Sequence, residues 1–195
     1  MDRADPVEQA FAAVPRAAFL PRGARPRAAD DTPILIGHGQ TCSQPSTVAD
    51  MLHLLDVRPG HRVLDVGSGS GWTTALLAHL TGPGGEVVGV ELEPELARWG
   101  AGNLAGLDVP WAAVHEAEPG ILGDPQHGPW DRILVSAEAA TLPRALLDQL
   151  ADPGRLVVPV AGSLTLVVRD HGSVSTSRHG HYRFVPLRSV PGTPT

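Results

Sequence analysis

From His61 onward the chain repeats one pattern: a short apolar run, a turn, then a stretch with apolar residues at helical spacing. HRVLDVG (61–67) precedes WTTALLAHL (72–80), and EVVGVEL (86–92) precedes PELARWGAGNLAGL (94–107). WAAVHEA (111–117), DRILVSA (131–137), PRALLDQL (143–150) and GRLVVPVA (154–161) continue it. Parallel strands covered on both faces read as unbroken apolar runs, whereas surface helices carry a periodic apolar stripe. The alternation therefore predicts an α/β fold, a mostly parallel sheet covered by helices on both faces. LTLVVRD (164–170), a turn at His171-Gly172, VSTSRHG (174–180) and YRFVPL (182–187) predict closing antiparallel strands. Upstream, VEQAFAAVP (7–15) predicts a helix ended by Pro15, 22–33 a polar connection, and 47–55 a helix with Pro45 near its first turn.

With 195 residues, 42% of them hydrophobic, the chain can bury one sizeable core. A single domain 1–195 is expected: an N-terminal helical segment (1–60), a core (61–162), closing strands (163–188) and a tail (189–195). A formal charge of -6 and 4% aromatic residues argue against a nucleic-acid partner, which calls for a basic face with stacking platforms. Arg16, Arg22, Arg25 and Arg27 form a local basic cluster that reads as a solvated segment. The chain has no lysine, which excludes a P-loop lysine and a Schiff-base lysine. Cys42 is the only cysteine, so neither an intrachain disulfide nor a cysteine zinc cage can form. The acids near the N-terminus do not suit a signal peptide, and no run reaches membrane-spanning length. A cytoplasmic monomer without a membrane partner is expected.

Open sheets bind ligands beyond the C-terminal ends of their strands, so those ends carry the functional information. The first reads DVGSGSGW, with Gly67, Gly69 and Gly71 following Asp65. The dinucleotide fingerprint needs a glycine where Trp72 stands, so that register fails. Asp-x-Gly-x-Gly-x-Gly instead resembles the first-strand motif of S-adenosylmethionine-dependent methyltransferases. Glu91 ends the second strand, where a carboxylate can accept both hydroxyls of a ribose. Neither Ser68 nor Ser70 sits in Gly-x-Ser-x-Gly, which excludes a serine-hydrolase elbow. His38, between two glycines, reads as a turn residue, and His179 with His181 are too few for a metal site, so none is expected.

The chain resembles the protein-L-isoaspartate O-methyltransferase family from about Val7 to Leu187. VPRAAFLP (14–21) is similar to the family's N-terminal element, and IGHGQTCSQP (36–45) to its distinctive Ile-Gly-His-Gly-Gln-Thr-Ile-Ser-Gln-Pro signature. VLDVGSGSGW (63–72), WDRILVSA (130–137), GRLVVPV (154–160) and RFVPL (183–187) match in order. The resemblance implies a Rossmann-like class I methyltransferase sandwich with antiparallel C-terminal strands and N-terminal helices. It also implies carboxyl methylation of L-isoaspartyl residues in damaged proteins and peptides, with S-adenosyl-L-methionine as cofactor and S-adenosylhomocysteine as product. The methyl ester then collapses to a succinimide that reopens in part as aspartate.

Residue by residue, the resemblance gives Ser43 the active-site role, orienting the substrate carboxylate; by spacing alone Ser43 reads as the cap of the helix near Pro45. Thr41, Cys42 and Gln44 match positions lining the cofactor, with Cys42, where isoleucine is usual, a small wall and not a nucleophile. Asp65, Gly67, Ser68, Gly69, Gly71, Glu91, Ala117, Glu118 and Ser136 complete the expected cofactor set; Ser46, Val185 and Pro186 join Ser43 on the substrate side. The family's Gly-Asp-Gly at the third strand end is here Glu-Ala-Glu-Pro-Gly, leaving Glu116 and Glu118 both open as the adenine-side acid. Ser46 and Ala29 replace bulkier residues, so a wider mouth is expected. A relative methylating one aspartate in a dedicated biosynthetic peptide is the close alternative; a nicotinamide oxidoreductase and a noncatalytic peptide-binding module are the readings from other classes.

Overall fold

A computed structural model of the chain describes residues 5–188. The predicted tail, 189–195, lies outside the described residues. Helix α1 (Pro6–Ala13) starts where the Asp5 carboxylate accepts the Val7 N–H and ends before Pro15, as the sequence predicts. Two short 3-10 helices follow: Arg16–Phe19 precedes the segment read as a plain connection, 22–33, and Arg22–Arg27 occupies its first half. Next comes a hairpin that the sequence pattern does not disclose, β1 (Ile34–Gly37) and β2 (Gln40–Cys42), which turns through His38 at φ 52°. Helix α2 (Pro45–Leu55) then buries Val48, Met51, Leu52 and Leu55.

The remaining elements are β3 (Arg62–Val66), α3 (Trp72–Thr81), β4 (Glu86–Glu91), α4 (Pro94–Ala105), β5 (Ala112–Glu116), β6 (Trp130–Val135), α5 (Arg144–Leu147), β7 (Leu150–Val160), β8 (Ser163–Asp170) and β9 (Ser173–His179). Seven strands form one sheet in the order β5-β4-β3-β6-β7-β8-β9. It is parallel from β5 to β7 and antiparallel from β7 to β9. Two expectations change. YRFVPL is not a strand: it runs irregularly over the sheet's end, with one bridge between Pro186 and Glu138, because the β9 edge is left at Gly180 (φ 56°). PRALLDQL yields only the single turn α5, because β7 starts at Leu150 and the Gln149 side chain is held by the Leu122 and Ala145 carbonyls and the Asp124 N–H.

Alternation along the strands divides the core. Val63, Val87, Leu134 and Val157 face the cluster shared with α1 to α4, while Leu64, Val88, Ile133 and Leu156 face Trp130 and Leu146. Each of these strand side chains is at most 8% exposed, so each contributes about 1.5–3 kcal/mol of burial. The second face is covered by α5 and loops, a thinner helical cover than on the first. That leaves the loops after β5 and β6 free to border a crevice.

Candidate active site

From β3 the chain moves outward to β4 and β5, and from β6 it moves the other way to β7. The loops after β3 and β6 therefore diverge, and such a switch point is where open sheets hold ligands. At its floor the Ser136 N–H donates to the Val66 carbonyl at 2.9 Å. The glycine loop above it is shaped by close packing. Gly71, at φ 87°, lies so near α4 that a Cβ would stand 2.8 Å from Leu104 and 3.1 Å from the Gly100 carbonyl. A Cβ on Gly69, at φ 54°, would approach Ile36 of the hairpin to 3.1 Å. Both positions require glycine for conformation and for space.

Three recesses share this region. The first is partly open to solvent. Gly67, Gly69, Glu91, Ala117 and Ser136 line it, with Thr41 of the hairpin and residues 121–123 and 185–188. The second lies between Thr41, Ser43, Gln44 and Thr47 on one side and residues 181–185 on the other. A narrow gap bordered by Cys42, Ser43 and Ser68 joins the neighbourhood of both. Thr41 and Ser136 border all three, so they mark the junction.

The polar groups of the first recess are prearranged. Glu91 is 6% exposed, and its carboxylate accepts the Gly69 N–H at 2.8 Å and the Glu93 N–H at 2.9 Å. Burial raises its pKa, and those N–H donors oppose the shift. The buried hydroxyls of Ser136, in this recess, and of Ser68, in the neighbouring gap, have no partner among the described residues. An unsatisfied buried polar group is costly, so both are free to serve a ligand or water. Ile121 and Leu122 add an apolar wall. A buried carboxylate, bare backbone at Gly67 and Gly69 and an apolar wall fit a nucleoside-type cofactor.

The predicted residues divide by position. Val185 borders both main recesses, Pro186 borders the first, and Glu116 and Glu118 are exposed and border neither. Gln44 lines the second recess, and its Nε2 donates to the Asp31 carboxylate and to the Ser46 hydroxyl. Ser46 is exposed and outside the recess lining, which Thr47 supplies instead. Ser43 does not cap α2: Gln44 is the N-cap residue without a side-chain bond, and the Ser46 N–H is taken by Asp31 at 2.9 Å. The Ser43 hydroxyl borders the second recess and the gap instead. Burial raises the Cys42 thiol pKa, which suits a wall and not a nucleophile.

Asp65 lies beneath the loop, 0% exposed, and its Oδ2 accepts the Thr73 and Thr74 hydroxyls, both at 2.7 Å. It positions the start of α3 and does not line the first recess. Burial pushes its pKa from 3.8 up to about 6, against the two hydroxyls, which favour the anion. A folded-state pKa raised above the unfolded one contributes stability that is lost as pH rises from the lower value to the higher. Asp65→Asn keeps an acceptor for both threonines. It is expected to gain on the wild type by on the order of 2–3 kcal/mol as pH rises from about 4 to about 7. Urea unfolding across that range tests this; a pH-independent difference would contradict it.

Arg16 overturns the reading of a solvated basic cluster. Its side chain is 5% exposed and donates to the carbonyls of Asp30, Thr32, Cys42 and Ser43 at 2.8–3.0 Å, and to Ala28 at 3.5 Å. Its guanidinium carbon stands 5.4 Å from the Trp72 ring centre. Arg22, Arg25 and Arg27 are exposed, as expected. Arg16, Ile121, Leu122 and Tyr182 border or organise the site without a sequence signal of their own. Only the run VPRAAFLP, through its likeness to the family's N-terminal element, hinted at Arg16.

Comparison with known proteins agrees with this geometry. The family model for Protein-L-isoaspartate(D-aspartate) O-methyltransferase (PCMT) matches residues 1–191. A protein-L-isoaspartate O-methyltransferase of Methanopyrus kandleri is 43% identical, covering 97% of this chain and 86% of its own. One of Methanocella arvoryzae is 45% identical, covering 89% and 94%. Among solved structures, a Plasmodium falciparum protein described as a protein-L-isoaspartate O-methyltransferase, in complex with S-adenosyl-L-homocysteine, superposes with TM-score 0.80 at 27% identity, covering 96% and 92%.

Proposed function

The chain belongs to the protein-L-isoaspartate(D-aspartate) O-methyltransferase family, and from this premise we propose that it methylates the free carboxylate of L-isoaspartyl residues in damaged proteins and peptides. The observation that carries the reading to particular residues is the junction at Thr41 and Ser136, where the recess lined by Gly67, Gly69 and Glu91 meets the one bordered by Ser43. S-adenosyl-L-methionine supplies an electrophilic sulfonium methyl, and its transfer leaves S-adenosylhomocysteine and a methyl ester.

A carboxylate is already ionised at neutral pH, so the protein need not remove a proton. Its work is placement and exclusion of water. Glu91 holds the ribose hydroxyls, Gly67 and Gly69 offer bare backbone, and Ile121 and Leu122 cover the base. Ser43 donates its hydroxyl to the substrate carboxylate and fixes the attacking oxygen toward the junction. Thr47 and residues 182–185 flank the peptide on either side, so neighbouring substrate residues are sensed there more than at Ser46. Tyr182 is tied across to α2 by its hydroxyl, which donates to Asp50 at 2.8 Å and keeps this recess narrow.

Glu91→Gln tests the cofactor assignment. The amide keeps the shape but loses the charge, and a hydrogen bond to a charged group is worth about 1.5–3 kcal/mol. Affinity for S-adenosylhomocysteine by calorimetry should fall about 10- to 100-fold, measured on protein that still unfolds cooperatively, because the amide nitrogen also leaves the Gly69 or the Glu93 N–H without its acceptor, at a cost of about 1–3 kcal/mol of stability. Wild-type affinity in the folded variant would remove Glu91 from the site. The activity itself is tested by methyl transfer to matched isoaspartyl and aspartyl peptides.

A further inference from the structure

Two walls of the cofactor recess lie outside the seven-stranded sheet. One is the β1–β2 hairpin, a two-stranded sheet of its own. The other is the irregular segment 185–188, pinned behind by the Glu138 N–H to the Val185 carbonyl and the Leu187 N–H to the Glu138 carbonyl, both at 2.8 Å. A two-stranded hairpin is marginal alone, so it needs fastening from the rest of the fold. Both walls reach the first turn of α4, which Glu93 opens. Arg188 Nη2 lies 2.7 Å from Glu93 Oε1, with the two side chains 13% and 12% exposed. On the other side His38, at the hairpin tip, brings Nδ1 to 3.9 Å from Glu93 Oε2 and Nε2 to 2.9 Å from the exposed Glu95. The Glu93 N–H meanwhile donates to Glu91, so the fastening point and the ribose acid are adjacent.

We propose that Glu93 and Arg188 form a latch that holds the 185–188 wall of the cofactor recess against the start of α4 and sets how slowly S-adenosylhomocysteine leaves. The inference rests on the reading of that recess as the methyl-donor site. Removing one partner of a mostly buried ion pair strands the other charge, so the pair resists opening, and Arg188 itself borders the recess, so its release would widen one side of it. Glu93 and Arg188 are positioning residues: neither needs to touch the reacting atoms.

The test is the release rate of labelled S-adenosylhomocysteine, chased with excess unlabelled compound, from the full chain and from Arg188→Gln, Glu93→Gln and the double variant. Release should quicken about tenfold in each single variant and no further in the double, since either change breaks the same contact. Added salt should speed release from the wild type more than from the variants. Thermal unfolding of the Gln variants, which keep side-chain length and polarity, checks that the fold is intact. Wild-type release rates in folded variants, or single effects that multiply in the double, would overturn the latch while leaving the cofactor reading in place. Failure of the wild type to bind the labelled compound would overturn both.

Discussion

Arg16→Met is expected to lower thermal stability by 10 °C or so, the largest effect of any single substitution among the chain's arginines. The guanidinium is buried and gathers carbonyls from residues 28 to 43, so removing it leaves several acceptors facing an apolar side chain at once. Stranding buried polar groups of this kind costs about 3–5 kcal/mol in total, and in a chain of this size each kcal/mol moves the midpoint by roughly 2–4 °C. Arg16→Lys should recover only part of the loss, because an ammonium cannot present the planar fork that reaches Thr32, Cys42 and Ser43 together. Arg22→Ala, on the exposed side of the same segment, should stay within about 0.5 kcal/mol of wild type. Unfolding midpoints of the three variants decide the matter; equal, small effects would mean that the segment is solvated after all.

The second large effect is catalytic. Ser43→Ala should reduce kcat about 100-fold, the cost of losing one well-placed donor to the reacting group, with affinity for S-adenosylhomocysteine unchanged. Stability should change little, because the Ser43 hydroxyl caps nothing: Asp31 takes the Ser46 N–H at the start of α2. The two readings of Ser43 thus separate on one protein sample. A stability loss of about 1 kcal/mol with an intact rate per folded molecule would restore the cap and remove Ser43 from the site.

The strands β3, β4, β5, β6 and the second half of β7 were legible because short apolar segments recur in them, as in Val87-Val88, Ile133-Leu134-Val135 and Leu156-Val157-Val158, and the loop after β3 because its glycines and Glu91 stand at strand ends. The hairpin was not legible. Its first strand spans four residues, buries Ile34 and Ile36 and leaves Leu35 68% exposed, and its second is the polar Gln-Thr-Cys, too short a pattern to carry a period. YRFVPL failed in the opposite way: it alternates like a strand, but no strand lies beside it and its ladder consists of one bridge. Arg16 was misread because composition registers a charge and not the carbonyls that the fold brings to it from a distance of up to 27 residues. Glu118 fell on the outside because the register after β5 turns Ala117 toward the recess. The stretch 36–45 was singled out by its likeness to a family signature; for Ser43, spacing alone favoured a helix cap.

The most direct measurement is transfer of a labelled methyl group from S-adenosyl-L-methionine to two peptides that differ only in carrying L-isoaspartate or L-aspartate at one position. The account predicts base-labile label in the isoaspartyl peptide and almost none in its aspartyl twin. Equal labelling of the two, or no labelling of either by folded protein that binds S-adenosylhomocysteine, would contradict it.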